Sequence, residues 1–223
     1  MINRATVAIP DDIQSQKKGT DMKLDHLAVA AESLEAGHDW VEARLGLRLQ
    51  QGGNHAHFGT HNLLLGLEDG IYLEVIAINP AAAAPSYPRW FDLDRFEGAP
   101  RLNNWICQVD DLADLVARYP EAGRPVSLSR GNLRWQMAVP EDGALPYDNL
   151  FPAVIEWEGD QHPSARLTAS GARLERLVIA HPESKALEAA LSPVLGDARI
   201  VFECGAAGMR AEIATPSGRR TLG

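Results

Sequence analysis

Cysteine is scarce in this chain: there are two in 223 residues, Cys107 and Cys204, far apart and outside any CxxC spacing. That argues against a disulfide framework or a thiolate metal site and leaves two free thiols, suited to the reducing cytosol and so to a cytoplasmic protein. Long apolar runs are lacking too, and none approaches the roughly 18 residues that span a bilayer. Basic residues are outnumbered, 21 Lys and Arg against 30 Asp and Glu, for a formal net charge of −9. Nucleic acid and anionic membrane surfaces both reward clustered Lys and Arg, so neither is an expected partner. The opening MINRATVAIPDDIQSQKKGTD has no apolar centre, no small-residue cleavage site and no sustained period. It reads as a mobile leader over 1–21, with Met22 opening the recognisable pattern.

What the chain does contain is a repeat. LDHLAVAAESL (24–34) aligns without gaps with LNNWICQVDDL (102–112). Each reads as a short strand running into a helix that is opened by an acidic or Ser residue. The helices are expected at Leu34–Leu45, ended by Gly46, and at Leu112–Tyr119, ended by Pro120. Strands are expected at 47–51, 62–67 and 71–78 in the first copy, and at 126–129, 133–140 and 153–158 in the second. YLEVIA (72–77) matches VIEWEG (154–159), setting Glu74 opposite Glu156. LERLVIAHPES (174–184) begins a third echo, closed by a hairpin of ARIVFEC and MRAEIAT. The expected class is α+β. Paired βαβββ modules at 22–98 and 99–168 form a cupped mixed sheet with helices outside, followed by a shorter C-terminal βαββ element at 169–223.

Strand side chains alternate faces. Leu27 and Val29 then lie under a helix while His26 points to the concave side, and Glu74 does the same from its own strand. By repeat, Asn104 and Glu156 follow, so four polar residues are expected in one pocket. Two carboxylates in an apolar pocket need compensation, because a buried unpaired charge costs several kcal/mol. A divalent metal is one form of it, held by His26, Glu74 and Glu156, whose donors suit Zn, Fe, Mn or Ni. A hydrogen-bonded acid pair without metal is another. In a third reading, one Glu reaches solvent at a strand end.

The stretch GGNHAHFGTHN (52–62) holds three of the seven histidines. Glycines there allow close backbone approach. His55 and His57 are aimed to one side if the loop is extended, and Thr60 and Asn62 add groups that can hold a carbonyl or carboxylate. His57 or His61 taken singly reads first as a surface residue of a turn. Trp105, Trp135 and Trp157 read first as core. Trp90-Phe91 reads as a lid or an inter-module strap.

LDHLAVA followed by GGNHAHFGTHNLLLGLEDGIYLEVIAINP resembles the glyoxalase-like domain of the vicinal-oxygen-chelate superfamily, in a subfamily with a GGxHxxxGTxN loop and a YLE strand. The likeness covers about 22–181. It implies paired βαβββ modules around a metal or substrate cavity, in a superfamily that includes lactoylglutathione lyase, extradiol dioxygenases, epimerases and resistance proteins. Carried over, the first module's ligands fall on His26 and Glu74, and the second module's carboxylate on Glu156. Asn104 stands where many metal-dependent members have His or Gln, and its carbonyl is a weaker donor. Fold alone leaves the reaction open.

Two functions are therefore expected. One is a glyoxalase-like lyase, isomerase or related enzyme acting on a small oxygenated molecule, with Glu74 or Glu156 as base and His55 in support, while Asn104, Thr60, Asn62 and His57 bind substrate. The other is a non-catalytic module that sequesters a small molecule. A homodimer is compatible with either.

Overall fold

The computed structural model describes residues 21–223, so the leader expected at 1–21 lies, but for Asp21, outside the described residues. The first module runs β1 (Lys23–Ala30), α1 (Leu34–Leu45), β2 (Gln50–His55), β3 (Thr60–Gly66) and β4 (Tyr72–Ile78). The second repeats the order as β5 (Arg101–Gln108), α2 (Leu112–Arg118), β6 (Arg124–Arg130), β7 (Leu133–Val139) and β8 (Ala153–Trp157). Helix boundaries follow local chemistry. Ser33 accepts from Ala36 N at the start of α1, and Gly46 ends that helix with φ 67°. Asp111 accepts from Asp114 N at the start of α2. Each cap satisfies an amide that the helix itself leaves unpaired.

All eight strands join one curled sheet in the order β2-β3-β4-β1-β5-β8-β7-β6. β1 runs parallel to β4, and β5 parallel to β8, while β1 and β5 join the modules antiparallel. The outer edges come together again, because Arg130 at the end of β6 reaches Asn62 on β3 across the edge strand β2. The sheet is thus a half-barrel, with one face lined by the inward residues of both modules.

The other face carries most of the apolar burial. Leu27, Val29, Leu73, Val75, Trp105 and Cys107 are fully buried there, and each aliphatic side chain contributes about 1.5–3 kcal/mol on leaving water. Helix α1 sits close to this face because Gly37 lacks a side chain: a Cβ there would lie 2.3 Å from Val75 Cγ1.

The C-terminal part is β9 (Arg173–Ala180), α3 (Ser184–Leu191), β10 (Ile200–Glu203), β11 (Gly208–Thr215) and β12 (Gly218–Leu222). It forms a second sheet in the order β10-β9-β11-β12. The closing hairpin expected from ARIVFEC and MRAEIAT does not form. Helix α3 is a crossover, so β10 returns parallel to β9, and β11 pairs with β9 on its other edge. The hairpin partner of β11 is the additional strand β12. The small sheet packs on the helix side of the large one, where Phe202 meets Trp105 with ring centroids 6.4 Å apart.

Candidate functional site

His26 reaches the inner face by ordinary alternation along β1, and Asp25 joins it through a defect in that strand. The β1–β5 register slips between Leu24 and His26, so Asp25 is an extra residue in the ladder. Such a bulge redirects neighbouring side chains. Asp25 and His26 thereby meet, with Nδ1 of His26 2.5 Å from Oδ1 of Asp25. Nε2 of His26 lies 3.6 Å from Oε2 of Glu74, and Tyr72 stacks on the imidazole at 4.4 Å. All three charged residues are at most 5% exposed.

An imidazole between two buried carboxylates is strongly biased. Burial works against its charge, but Asp25 and Glu74 outweigh that and push His26 up to about 9. Burial raises the Glu74 carboxyl, yet His26 overcomes it and holds the group down at about 2. Asp25 is likewise held well below the usual carboxylate range, against its burial, by His162 and His26. Its second oxygen accepts from Trp157 Nε1 at 2.8 Å and lies 3.0 Å from His162 Nε2. Near neutral pH the trio is a carboxylate, an imidazolium and a carboxylate, every one hydrogen-bonded.

The glycine–histidine stretch is a hairpin and not an extended loop: β2 ends at His55 and β3 starts at Thr60. Asn62 points inward and donates to Oε1 of Glu74 at 2.5 Å. Its own Oδ1 accepts from Gly53 N at 2.7 Å and from Arg130 Nη1 at 3.0 Å. The paired glycines make room for this. A Cβ at Gly52 would lie 2.0 Å from Asn62 Oδ1, and one at Gly53 would lie 2.6 Å from Arg130 Cδ. His55 is buried, with Nδ1 3.1 Å from Thr60 Oγ1 and Nε2 3.3 Å from Arg130 Nη1. Burial foremost, with Arg130 adding to it, pushes His55 down to about 4 despite the Glu74 charge. Its imidazole is neutral near pH 7. Trp90 packs edge-on against it at 5.0 Å, stacked between Phe58 and Phe91, so Trp90-Phe91 is a buried strap.

The fold thus gathers His26, Glu74, Asn62, His55 and Thr60. It does not bring Glu156 to them, and this corrects the expected four-residue pocket. Glu156 Oε2 accepts from Leu112 N at 2.8 Å, capping α2 on the helix side of the sheet. The reason is register. Glu74 pairs with Ala28, two residues beyond His26, and the equivalent residue beyond Asn104 is Ile106, which pairs with Ala153. Ala153 is therefore the structural counterpart of Glu74. Glu156 is three residues further on, and an odd offset on a strand means the opposite face.

Asn104 does lie on the inner face, in the row Glu74–Ala28–Asn104. Its amide, however, is engaged elsewhere: its Oδ1 accepts from Asn103 Nδ2 at 2.8 Å and its Nδ2 donates to Asn149 O at 3.4 Å. His57 is exposed beyond the hairpin and stacks on Tyr87 at 4.9 Å, outside the cluster.

The donor set also decides the fit of the expected metal. Without Glu156, the set keeps His26 and Glu74, whose other polar atoms are taken by Asp25 and Asn62. Among the described residues no group of three His, Cys, Asp or Glu is placed to hold a metal ion. The residues present do not fit a three-ligand Zn, Fe, Mn or Ni site.

Asp25, Arg130 and His162 belong to the cluster without having been singled out from the sequence. An acidic residue beside His26 was visible, but only the bulge turns it inward. Arg130 is remote in sequence and had no local signal. Asp25, His162 and Trp157 also border a cavity of about 1010 Å³ at the foot of the sheet.

One solved structure agrees with the architecture. A solved hypothetical protein from Staphylococcus aureus superposes with a TM-score of 0.60 at 14% identity, over 84% of this chain and 88% of that one. Methylmalonyl-CoA epimerase from Mycobacterium tuberculosis gives 0.41 at 20% identity, over 62% of this chain and 88% of that one. No curated protein matches. Among the described residues no helix is long and apolar enough to cross a membrane. The family model described as "Glyoxalase-like domain" matches residues 24–195, and with the paired modules described above this shows that the chain belongs to the glyoxalase-like family of the vicinal-oxygen-chelate superfamily.

Proposed function

We propose that this chain is an acid–base enzyme of the glyoxalase-like family that moves a proton on a small oxygenated molecule bound on the inner face of the half-barrel. The observation carrying this reading is the buried Asp25–His26–Glu74 trio, in which a carboxylate and an imidazolium stand 3.6 Å apart near neutral pH. Glu74 stays ionised through the neutral range, and its Oε2, the oxygen that Asn62 leaves open, takes a proton from carbon next to a carbonyl, the electron pair moving onto the carbonyl oxygen. The imidazolium of His26 returns a proton to the substrate, and the proton on Glu74 then resets His26. Asp25 holds the imidazole in place and keeps it charged. Thr60 fixes His55 and Asn62 fixes Glu74. A homodimer is no part of this proposal, and neither is a metal step.

The test is deuterium incorporation. The protein is incubated in D₂O with a panel of small 2-oxo and 2-hydroxy carbonyl compounds, and exchange at the α-carbon is read by NMR. Exchange with at least one compound, abolished in Glu74→Gln and His26→Asn, is the expected result. Saturable binding without exchange would point to the sequestering module instead. Stoichiometric metal that disappears in His26→Ala would replace the proposal with a metal-dependent reaction.

A further inference from the structure

Arg130 is the one residue of the cluster whose charge is not answered. Asp25 and Glu74 both turn to His26, and among the described residues no carboxylate forms an ion pair with Arg130. Yet its guanidinium is held in a fixed place. Nη1 donates to Asn62 Oδ1 at 3.0 Å and lies 3.3 Å from His55 Nε2, while its Cδ packs over Gly53, where any Cβ would lie 2.6 Å away. The residue is half-buried, at the seam where β6 comes up against the first module. The ring of buried Trp90 also packs on His55, at 5.0 Å, and its Nε1 has no hydrogen-bond partner among the described residues. A buried N–H without an acceptor costs about 1–3 kcal/mol, so it is an uncommon thing for a fold to keep. An oriented guanidinium fork with N–H groups to spare and a spare indole N–H beside the same imidazole are all donors. Among the described residues no acceptor serves the spare N–H groups.

We infer that the seam between β2 and β6 is an anchoring site for a carboxylate, with Arg130 as its principal donor, so that the small molecule handled here is an organic acid. Guanidinium and carboxylate match as planar, two-pronged partners, and Arg is the side chain best suited to such recognition. The location also fits. Asn62 touches Arg130 with its carbonyl and Glu74 with its amide, so a carboxylate on Arg130 would set the adjacent carbon near the Glu74–His26 pair. The inference deepens the proton-transfer reading and rests on it for the chemistry, though not for the binding.

The test measures binding without turnover. Glycolate and its neutral isostere 2-hydroxyacetamide are titrated against the whole chain, followed by tryptophan fluorescence and by the His55 ring protons. Glycolate is expected to bind saturably and 2-hydroxyacetamide not to bind. Arg130→Gln should weaken glycolate by about tenfold or more, and Arg130→Lys, which keeps charge but loses the fork, by less. Gly53→Ala leaves the arginine in the chain but displaces its stem, and should weaken binding while thermal melting stays close to wild type. Equal binding of the two compounds, no saturable binding of glycolate, or glycolate affinity unchanged in both Arg130→Gln and Gly53→Ala would each overturn the inference. Carboxylate binding that persists when His26 titrates normally and no exchange occurs would leave the anchor standing and sink the proton-transfer proposal.

Discussion

The two modules share an order of elements and divide the work unequally. In the first, His26 and Glu74 project from neighbouring parallel strands into an ion-paired cluster. In the second, the corresponding inner-face positions hold Asn104 and Ala153, one tied to Asn149 of a connecting loop and the other apolar. Glu156, which resembles Glu74 in sequence, is a helix cap. The second module's part in the cluster comes from other places: Arg130 at the end of β6, Trp157 at the end of β8, and His162 just beyond. One half carries the charged pair. The other half holds it, balances it and borders the cavity at its foot.

That contrast sets the scale of the expected mutational effects. The largest belongs to His26→Ala, which leaves Asp25 and Glu74 buried without their shared cation. Breaking a buried ion pair from one side costs about 3–5 kcal/mol, and urea denaturation should show it. The matching change in the second module, Asn104→Ala, removes neutral hydrogen bonds and should cost about 1–3 kcal/mol, leaving the His26 titration where it was. A loss from Asn104→Ala equal to that from His26→Ala would break the comparison.

The pH dependence separates the halves further. His26 has its folded-state value raised to about 9, so its contribution to stability is complete below its unfolded value near 6.5. It is lost as pH rises through 9. Glu74 has its value lowered to about 2, so its contribution is present above the unfolded 4.5 and is lost as pH falls toward 2. His55 is depressed to about 4, so it works against the folded state below about 6.5 and ceases to do so above. Denaturation midpoints measured from pH 6 to 10 should fall on the alkaline side in the wild type. They should fall much less in His26→Asn. NMR of the imidazole should place the His26 midpoint far above that of His55, and Glu74→Gln should lower it.

The smallest effect is expected at Glu156→Gln. It removes a charge from the start of α2 while keeping an acceptor, for a loss of about 0.3–1 kcal/mol with no change in the His26 titration. A shift of His26 in that variant would return Glu156 to the site.

Much of the architecture was legible in the residues. The strand–helix repeat, the helix starts at Leu34 and Leu112 and the stop at Gly46 all depend on neighbours in sequence, and the structure has them in place. That His26, Glu74 and Asn62 share a face was likewise readable, because alternation along β1, β3 and β4 is regular from those residues on. His55 and Thr60 were read on an extended loop, which the structure replaces with a hairpin. The place of His57 was not readable, since a hairpin turn between β2 and β3 ended the alternation before it.

What the sequence by itself determined is the order of elements and the side of the sheet on which each regular strand shows its polar residues. Side-chain direction repeats every two residues, and helix ends are satisfied locally. What only the tertiary structure decided is who meets whom. One bulge in β1 turned Asp25 inward beside His26, the pairing of β5 with β8 placed Ala153 where Glu156 was expected, and closure of the half-barrel brought Arg130 over Gly53. A one-residue offset reverses a face, and contacts across a curled sheet depend on distance in space. Neither is written in the local pattern.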